Sequence, residues 1–361
     1  MQLNRSSKVL VAMSGGVDSS VAAALLCEQG HEVTGLSMNL LTCNASGERS
    51  CCSARDREDA REVCRQLGCA HQVIDCRLDF KRRVIDPFVE DYLAGRTPSP
   101  CILCNEFIKF PFLCDEARRR EIPFFATGHY ARVVQDGEIF RLLRAKDAAK
   151  DQTYFLFALK QEELSRLIFP LGEMTKTEVR AYAAARGLAT REKAESQEVC
   201  FVPDDDCARF VEDRAGARVS GPGEFADRSG AVLGRHRGVH SYTIGQRRGL
   251  RIARGRRMYV VAIDCARNRV VLGDDADLMK DELIASRVSW THPSNARDQD
   301  AVVKIRSTHA GVHATLKLHD DGSVRVKFAE PVRAIAPGQA AVFYRGEEVM
   351  GGGWITCEVD V

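Results

Sequence analysis

The sequence lacks several features that would assign a function class at once. It contains no GxxxxGKS or GxxxxGKT and no GxGxxG, so the P-loop lysine and the dinucleotide-binding fingerprint are both missing. Residues 1–8 have no apolar signal-peptide core, and no run approaches the roughly 18 apolar residues of a membrane span. The formal net charge is only +2, which gives no overall nucleic-acid signature. We therefore expect a cytoplasmic protein without membrane association, whose basic surfaces are local.

Cysteine, by contrast, is abundant, with 14 residues in a chain of 361. Without a secretion signal, that number argues for reduced thiols or thiol chemistry and against a disulfide scaffold. A chain of this length can form two or three domains with sizeable cores. Hydrophobic residues make up 45% and charged residues 28%, which is typical of a globular protein.

A loop with the sequence SGGVDSS occupies residues 14–20. It follows an apolar run at 9–13 and precedes another at 21–26, with Gly30 beyond, so we predict a strand, a tight loop and a helix. Adjacent glycines let the backbone approach a ligand closely, and a helix start offers unpaired N–H groups to an anion. Asp18 would repel a polyphosphate unless a divalent cation bridged them, which indicates Mg²⁺ with a nucleoside triphosphate.

SGGVDSS resembles the signature of the PP-loop ATP pyrophosphatases. That resemblance implies an enzyme that splits ATP between its α and β phosphates and adenylates an acceptor. An ordinary glycine-rich turn between a strand and a helix is the alternative interpretation. The loop thus predicts ATP binding, but it does not indicate which acceptor is adenylated.

Strand and helix patterns alternate after the loop. We predict further strands at 32–38, 69–74 and 122–126, and helices at 54–67 and 80–93. This alternation is typical of a doubly wound parallel α/β sheet, whose ligands bind at the carboxyl ends of the strands. Met38 would emerge at that edge, where it could line an adenine pocket.

The predicted loop at residues 39–53 holds Cys43, Cys51 and Cys52. A zinc site would require two well-separated pairs of ligands with suitable spacing, and the adjacent Cys51 and Cys52 fit that requirement poorly. Loop thiols without a metal are the alternative.

Cys101 and Cys104 form a CxxC pair where a helix can begin, a setting that lowers the pKa of a thiol. Considered alone, such a pair is compatible with redox chemistry, with metal binding or with no chemical role. Cys200 adds a third candidate thiol. Before it we predict a helix that opens with the capping-box pattern at 175–178 and closes at Gly187.

Six motifs together carry a more specific resemblance. They are TGHY at 127–130, KDQTYFLF at 150–157, RTPSPCILCN at 96–105, ESQEVCFV at 195–202, YTIGQRRGL at 242–250 and PGQAAVFY at 337–344. They resemble the tRNA-specific 2-thiouridylase family over nearly the whole chain and in the family's order. The resemblance implies that ATP adenylates the C2 oxygen of the wobble uridine in a tRNA anticodon. Sulfur then replaces that oxygen, and AMP and pyrophosphate are released.

The resemblance also implies roles for individual residues. Cys104 would be the nucleophile and Cys200 the persulfide carrier, and the two could form a disulfide during turnover. The implied ATP contacts are Ala12, Met13, Ser14, Gly15, Gly16, Val17, Asp18, Ser19, Met38 and Gly128. The implied tRNA contacts are His129, Lys150, Asp151, Gln152, Arg306 and Gln339. Without the surrounding motifs, a buried histidine and a solvated lysine would be the ordinary interpretations of His129 and Lys150.

The resemblance implies cofactors and partners as well. ATP with Mg²⁺ would be used. The substrates would be tRNAs that accept Lys, Glu and Gln. A protein sulfur donor, supplied by a cysteine desulfurase, would deliver the sulfur, and we expect the enzyme to be a monomer.

One loop departs from the family pattern. Many members have asparagine and aspartate where this chain has Ser99 and Cys101. Cys101 cannot serve as the carboxylate, but it makes a three-thiol set with Cys104 and Cys200, and related PP-loop tRNA thiolases use three cysteines to hold a 4Fe-4S cluster. Such a cluster normally takes four thiolates, so three would leave one iron open to carry sulfide. Persulfide relay and cluster delivery therefore both stay open.

The pattern changes after about residue 215, where helical periodicity gives way to short β-type runs. We predict a PP-loop ATP-binding catalytic domain with a tRNA-contacting extension at 1–215, a small β-rich domain at 216–282 and a C-terminal β-barrel at 283–361. Six arginines cluster at positions 247, 248, 251, 254, 256 and 257. A solvated loop is the usual interpretation of such a run, but beside an RNA substrate it predicts a phosphate-binding strip.

Two other functions compete with the thiouridylase interpretation. A PP-loop amidating ligase acting on a small molecule would need an ammonia source and would have no use for Cys104 and Cys200. A non-catalytic RNA-binding protein with a relic nucleotide loop would not need an intact SGGVDSS with Asp18. The two cysteines and the intact loop therefore favour the thiouridylase.

Overall fold

A computed structural model describes residues 6–41, 54–194, 199–252 and 257–356. Five residues that the sequence analysis considered lie outside these ranges, namely Cys43, Cys51, Cys52, Arg254 and Arg256, as do the first four residues of ESQEVCFV. None of the helices within the described ranges is long and apolar enough to cross a membrane.

The first domain contains a parallel sheet and a hairpin. Its strands are β1 (Lys8–Ala12), β2 (Glu32–Asn39), β3 (Ala70–Asp75), β4 (Phe124–Ala126), β5 (Arg132–Asp136), β6 (Ile139–Leu143) and β7 (Leu167–Ile168). The parallel sheet has the order β3-β2-β1-β4-β7. The strands predicted at 32–38, 69–74 and 122–126 are all present, with ends that differ by one or two residues.

Strand β1 lies at the centre of this sheet, so its apolar side chains Val9, Leu10 and Val11 are fully buried. It pairs in parallel with β2 on one side and with β4 on the other. The strands that follow β1 are thus added first on one side of it, as β2 and β3, and later on the other side, as β4 and β7, and a crevice is expected at the carboxyl end of β1. SGGVDSS follows β1 directly, so the fold places this loop at that crevice. The predicted doubly wound α/β domain is confirmed.

The helices are α1 (Val17–Glu28), α2 (Ala54–Leu67), α3 (Arg77–Phe80), α4 (Asp86–Leu93), α5 (Pro100–Cys104), α6 (Phe110–Arg119), α7 (Gln161–Leu164), α8 (Lys176–Ala185) and α9 (Cys207–Ala215). Single π-helical turns, Lys81–Ile85 and Asn105–Lys109, join α3 to α4 and α5 to α6. The helix predicted at 80–93 is therefore part of a longer segment that begins at Arg77. Helix α8 has the predicted capping box between Thr175 and Glu178.

Strands β5 and β6 form a hairpin that the sequence analysis did not predict. Its turn is formed by Gly137 and Glu138, between the paired Asp136 and Ile139, and Gly137 has a φ of +61°. An Asp-Gly pair between apolar runs is a hairpin signal that could have revealed it. Leu143 of β6 pairs with Glu348 near the end of the chain. The first domain thus extends the sheet of the last one.

The central domain has four strands, β8 (Gly223–Asp227), β9 (Val232–His236), β10 (Tyr259–Asp264) and β11 (Arg269–Gly273), in the order β10-β11-β8-β9. Its core includes Phe225, Val260, Val270 and Leu272. Along β11, the buried Val270 and Leu272 alternate with the more exposed Arg269 and Val271, as in a sheet with one buried face.

The C-terminal domain is the predicted β-barrel. Its strands are β12 (Met279–Trp290), β13 (Gln299–Lys304), β14 (Val312–Leu318), β15 (Val324–Arg333), β16 (Ala340–Arg345) and β17 (Glu348–Thr356). They follow the order β12-β15-β14-β13-β16-β17, and pairing of β12 with β17 closes the barrel. Val324, Val326 and Phe328 point into its core while Arg325 and Lys327 are exposed, so the alternation in the sequence matches the pleat.

Candidate nucleotide and sulfur-transfer site

The predicted phosphate loop runs from the end of β1 into the first turn of α1. Gly15 has a φ of +72°, and a Cβ there would lie 2.1 Å from the backbone oxygen of Asp56, so only glycine fits. The Ser19 hydroxyl donates to the Gly16 carbonyl at 3.1 Å and accepts from the Ser14 N–H at 3.2 Å. These contacts hold the loop over the start of α1, where N–H groups without helical partners are suited to bind phosphate.

Gly128, in the TGHY motif, reaches the same loop from β4. A Cβ at Gly128 would lie 2.7 Å from the Ser19 nitrogen and 2.8 Å from the carbonyl carbon of Asp18. The backbone after β4 therefore packs directly on the first turn of α1, where Val17 is buried. The structure brings these predicted ATP contacts together.

The other predicted ATP contacts lie at neighbouring strand ends. Ala12 ends β1 and pairs with Leu36 of β2. The Ser37 hydroxyl donates to the Met13 carbonyl at 2.7 Å and ties the two strand ends together. Met38 follows and is 9% exposed. An apolar wall beside a phosphate loop is suited to an adenine ring.

Asp18 has two partners that the sequence analysis missed. Lys176, the first residue of α8, directs its Nζ at both carboxylate oxygens, at 2.7 and 2.9 Å. The Tyr130 hydroxyl donates to one of these oxygens at 2.9 Å. The capping box at 175–178 located the start of α8, but no sequence signal indicated that Lys176 would face the phosphate loop.

The phosphate loop and the side chains around Asp18 are called the nucleotide corner here, and their chemistry fits Mg²⁺. That ion is usually held by one or two carboxylates together with substrate phosphates and waters. Asp18 supplies the carboxylate, and the loop around it supplies the phosphate site. A metal bound there would compete with Lys176 for the carboxylate, and ATP phosphates would offer the ammonium another anion.

The three candidate cysteines differ in exposure. Cys104 ends α5 and is 6% exposed, whereas Cys101, in the first turn of that helix, lies at the surface. Cys200 is half-buried and packs against the same apolar core as Cys104. Across the described ranges, no group of three or more His, Cys, Asp or Glu side chains is placed to hold a metal ion. The 4Fe-4S site therefore gains no support from this arrangement and stays a prediction.

Cys76 is a buried thiol near Cys104 that the sequence analysis did not single out. Burial, then the charges of Asp75 and Asp79 and finally the neighbouring Cys104, raise its pKa to about 12. Cys76 is therefore protonated at neutral pH and unsuited to act as a nucleophile.

His129 is a partly buried side chain between two phenylalanine rings. Its centroid lies 5.8 Å from that of Phe110 and 6.3 Å from that of Phe169. A hydrogen bond of 2.8 Å joins its Nδ1 to the Thr127 hydroxyl. Burial, with a smaller contribution from Lys109, lowers its pKa to about 3. The ring is neutral at pH 7 and fixed in orientation.

The KDQ segment lies against the TGHY motif. The Gln152 side-chain oxygen accepts from the Tyr130 N–H at 2.8 Å. Asp151 accepts from the Thr153 hydroxyl at 2.9 Å, so its carboxylate stabilises the local turn. Lys150 comes directly before them. Four predicted tRNA contacts, at 129 and 150–152, therefore belong to one region.

Gln339 connects the barrel to the cysteine-bearing loop. Its Nε2 donates to the carbonyls of Thr97 and Pro98, at 3.1 Å each. Arg306, the other predicted tRNA contact of the barrel, donates to the Arg333 carbonyl at 3.3 Å. Gln339 thus has a structural role in holding the segment that leads to Cys104.

Among the described residues, part of the arginine cluster of the central domain lines a recess of about 490 Å³. Arg247, Arg251 and Arg257 contribute to its walls together with Leu250 and Met258. A concave, basic surface of this kind is suited to phosphate groups. Its contact with RNA stays a prediction.

Three known domain families match the chain in sequence. The tRNA methyl transferase HUP domain matches residues 7–204, the tRNA methyl transferase PRC-barrel domain matches 208–274, and the aminomethyltransferase beta-barrel domain matches 280–355. The domain limits expected at 215 and 282 stay predictions.

Curated relatives match over almost the full length. The tRNA-specific 2-thiouridylase MnmA of Geobacter metallireducens is 48% identical over 355 residues, covering 96% of this chain and 96% of the relative. The enzyme of the same name from Geotalea uraniireducens is 47% identical over 359 residues, covering 98% of this chain and 96% of the relative. The chain belongs to the tRNA-specific 2-thiouridylase family. The resemblance carried by the six motifs is thereby confirmed.

Solved structures are more distant from this member of the thiouridylase family. A 4-thiouridine synthetase in complex with RNA and bound ATP is 18% identical, with a TM-score of 0.36, and the match covers 59% of this chain and 51% of that one. A likeness at that score carries no argument about this protein. The assignment to the family rests on the sequence relatives.

Proposed function

We propose that this protein is a tRNA-uridine 2-sulfurtransferase. It uses ATP to adenylate the C2 oxygen of the wobble uridine in a tRNA anticodon and replaces that oxygen with sulfur, releasing pyrophosphate and AMP. The observation that carries the proposal is the intact SGGVDSS loop at the carboxyl end of β1, with Asp18 on α1 and Gly128 packed against it. Full-length relatives named tRNA-specific 2-thiouridylase supply the identity of the acceptor.

The adenylation step uses the nucleotide corner. The loop and the first turn of α1 bind the phosphates, and the apolar surface at Met38 receives the adenine ring. Mg²⁺ bound with ATP would neutralise phosphate charge and make pyrophosphate a better leaving group. Asp18 would hold that ion, and Lys176, whose Nζ lies 2.7 Å from the Asp18 carboxylate, would supply a positive charge to the phosphates. Adenylation makes a carbonyl oxygen, otherwise a poor leaving group, leave as AMP.

The sulfur-transfer step uses Cys104 and Cys200. The outer sulfur of a persulfide on Cys200 attacks the activated C2 carbon, and the C–O bond to AMP breaks. The Cys104 thiolate then attacks the inner sulfur, which forms a Cys104–Cys200 disulfide and releases the thiouridine. A dithiol reductant must restore both thiols. Both cysteines pack in the same apolar core, which supports this assignment.

The remaining partners follow from the same proposal. The substrates are tRNAs that accept Lys, Glu and Gln. The persulfide sulfur comes from a donor protein that a cysteine desulfurase loads. We expect the enzyme to act as a monomer in the cytoplasm.

Nucleoside mass spectrometry of treated tRNA tests the proposal. Unmodified tRNA, ATP, Mg²⁺ and a sulfur source should yield 2-thiouridine with stoichiometric AMP. Cys104→Ser and Cys200→Ser should abolish product, whereas Cys114→Ser, a change at another buried core cysteine, should not. Thiolation by Cys200→Ser protein at the wild-type rate would contradict the assignment. A methylated base in place of the thiolated one would instead favour tRNA methyl transfer, the activity after which the HUP and PRC-barrel domain families are named.

Cluster delivery is the second candidate for the sulfur step. Cluster-free and anaerobically reconstituted protein should be assayed in parallel. Equal activity supports the persulfide route and makes Cys101 dispensable. Product only after reconstitution would make Cys101, Cys104 and Cys200 cluster ligands and overturn the persulfide roles.

A further inference from the structure

A recess of about 380 Å³ lies between the first domain and the barrel. The side chains that matter to its chemistry are Arg83, Arg96, Leu103, Phe107, Arg287 and Trp354. Leu103 directly precedes Cys104, so the recess borders the helix that carries the proposed nucleophile. Its volume lies within the range of roughly 300–1,000 Å³ that is usual for small-ligand sites.

Two guanidinium–aromatic pairs give the recess flat faces. The Arg287 guanidinium lies 5.4 Å from the centroid of the Trp354 ring, and that of Arg83 lies 5.8 Å from the centroid of Phe107. Single-stranded RNA is commonly bound by stacking of its bases on aromatic rings and on arginine planes. The recess therefore has surfaces suited to a nucleobase.

Its charges favour a phosphate as well. Asp91 is paired with Arg96 at 2.7 Å, and Glu90 with Arg218 at 2.5 Å, so both carboxylates at the recess are already neutralised. Arg287 is exposed, and its charge also acts on the nearby carboxylates of Asp91 and Glu106. Three arginines and two carboxylates line the recess, so positive charge is in excess there.

The recess also lies beside the proposed path of the RNA. Arg96 leads directly into Thr97 and Pro98, whose carbonyls Gln339 holds. Gln339 is one of the residues that we assign to tRNA binding. An RNA strand that contacts Gln339 and brings its uridine to the Cys104 helix would therefore pass close to the recess.

We propose that this recess binds a nucleotide that flanks the target uridine in the anticodon loop. Its base stacks on the Arg287–Trp354 face, and Arg83 and Arg287 contact its phosphate. The inference rests on the proposed function and names a part of the substrate that would determine specificity. Loop nucleotides can be unstacked and splayed apart, so a neighbour of the target can enter a separate site.

Binding of a synthetic anticodon stem-loop tests this inference. We expect Arg287→Ala and Arg83→Ala each to weaken the affinity, measured by fluorescence anisotropy, by about tenfold, as is typical of a lost stacking contact. The ATP affinity should be unchanged. The control Arg65→Ala, at an exposed arginine of α2 outside the recess, should leave both affinities unchanged. Thermal melting identifies any variant that is not folded, and the other variant then carries the test.

Stem-loops with an abasic nucleotide on either side of the target uridine locate the contact. One of them should bind the wild-type protein about tenfold more weakly and Arg287→Ala with no further loss. If both abasic stem-loops bind the wild type like the intact one, or if the two losses multiply, the recess does not bind a flanking nucleotide. A wild-type protein that neither binds nor thiolates the intact stem-loop would instead contradict the proposed function.

Discussion

The Lys176 ammonium lies 2.7 and 2.9 Å from the two carboxylate oxygens of Asp18. The side chains are 11% and 32% exposed, so this pair is better shielded from water than a typical surface salt bridge. The backbone N–H of Lys176 also donates to the Asp147 carboxylate at 2.9 Å, which fixes the start of α8. The phosphate loop is therefore held by a helix that lies far along the chain.

Replacement of Lys176 by Met should weaken ATP binding and slow AMP formation. Without the ammonium, Asp18 would repel the phosphates, and the developing charge at the α-phosphate would lose a counter-charge. We expect at least a tenfold loss of ATP affinity without Mg²⁺ and a smaller loss with it, because the metal also neutralises Asp18. Isothermal titration calorimetry with and without Mg²⁺ measures both values.

Two further variants complete the Lys176 experiment. Lys176→Arg keeps the charge and should recover part of the affinity. Lys317→Met removes an exposed lysine of β14 and should change nothing. Wild-type ATP affinity and AMP formation in Lys176→Met would rule out this role.

Replacement of Gly128 by Ala should damage the same corner by steric conflict. The new methyl group would lie 2.7 Å from the Ser19 nitrogen, which is backbone and cannot move alone. We expect a loss of about 1–3 kcal/mol in the free energy of unfolding and a raised KM for ATP. Gly221→Ala is the matched control because a Cβ there meets no atom within 4 Å. Equal KM values for the two variants would show that Gly128 does not shape the nucleotide site.

Local patterns were enough to predict the nucleotide site. The apolar run at 9–13, the two glycines and the polar start of α1 are adjacent in sequence, and each indicates its own conformation. The strands β2, β3 and β4 were recognisable for the same reason. Because parallel strands place their carboxyl ends at one edge, the convergence of Met38 and Gly128 on the loop followed from topology.

Contacts between distant segments could not be predicted in this way. Nothing around Lys176 indicates Asp18 as its partner, because an ion pair across the fold depends on how α8 packs. The pairing of Leu143 with Glu348 could not be predicted from the sequence either, although the adjacent Asp136 and Gly137 could have revealed the hairpin. The recess between Trp354 and Phe107 forms only when the barrel meets the first domain.

The pKa of His129 predicts a pH effect on stability. Burial and Lys109 lower it from 6.5 to about 3. The unfolded chain therefore takes up a proton below pH 6.5 that the folded protein does not. The contribution of this group to stability is complete above that pH and falls as the pH drops towards 3, by at most about 1.4 kcal/mol per pH unit.

Urea denaturation at several pH values measures this contribution. His129→Asn should reduce the fall in the free energy of unfolding between about pH 6 and pH 4. His313→Asn, at an exposed position of β14, should keep the wild-type slope. The slope is independent of any constant loss of stability that the substitution causes. An unchanged slope in His129→Asn would mean that this ring titrates normally.

Replacement of Gln339 by Ala should separate adenylation from sulfur transfer. The variant loses two hydrogen bonds of 3.1 Å to the segment that leads to Cys101 and Cys104, while the nucleotide corner is untouched. Each such bond stabilises by about 1 kcal/mol, so the loop should loosen without unfolding of the domain. We expect thiolation to fall about tenfold or more, with ATP affinity unchanged.

Gln135→Ala is the matched control for Gln339, because its amide also donates to a backbone carbonyl, that of Gly137, but in the exposed hairpin. Nucleoside mass spectrometry gives the thiolation rate, and calorimetry gives the ATP affinity. Equal losses in thiolation rate and ATP affinity would mean that Gln339 contributes only to the general stability of the protein. A loss of thiolation with both ATP and tRNA affinity unchanged ties the barrel to the position of Cys104, because the Gln339 side chain donates to the segment that leads to that cysteine.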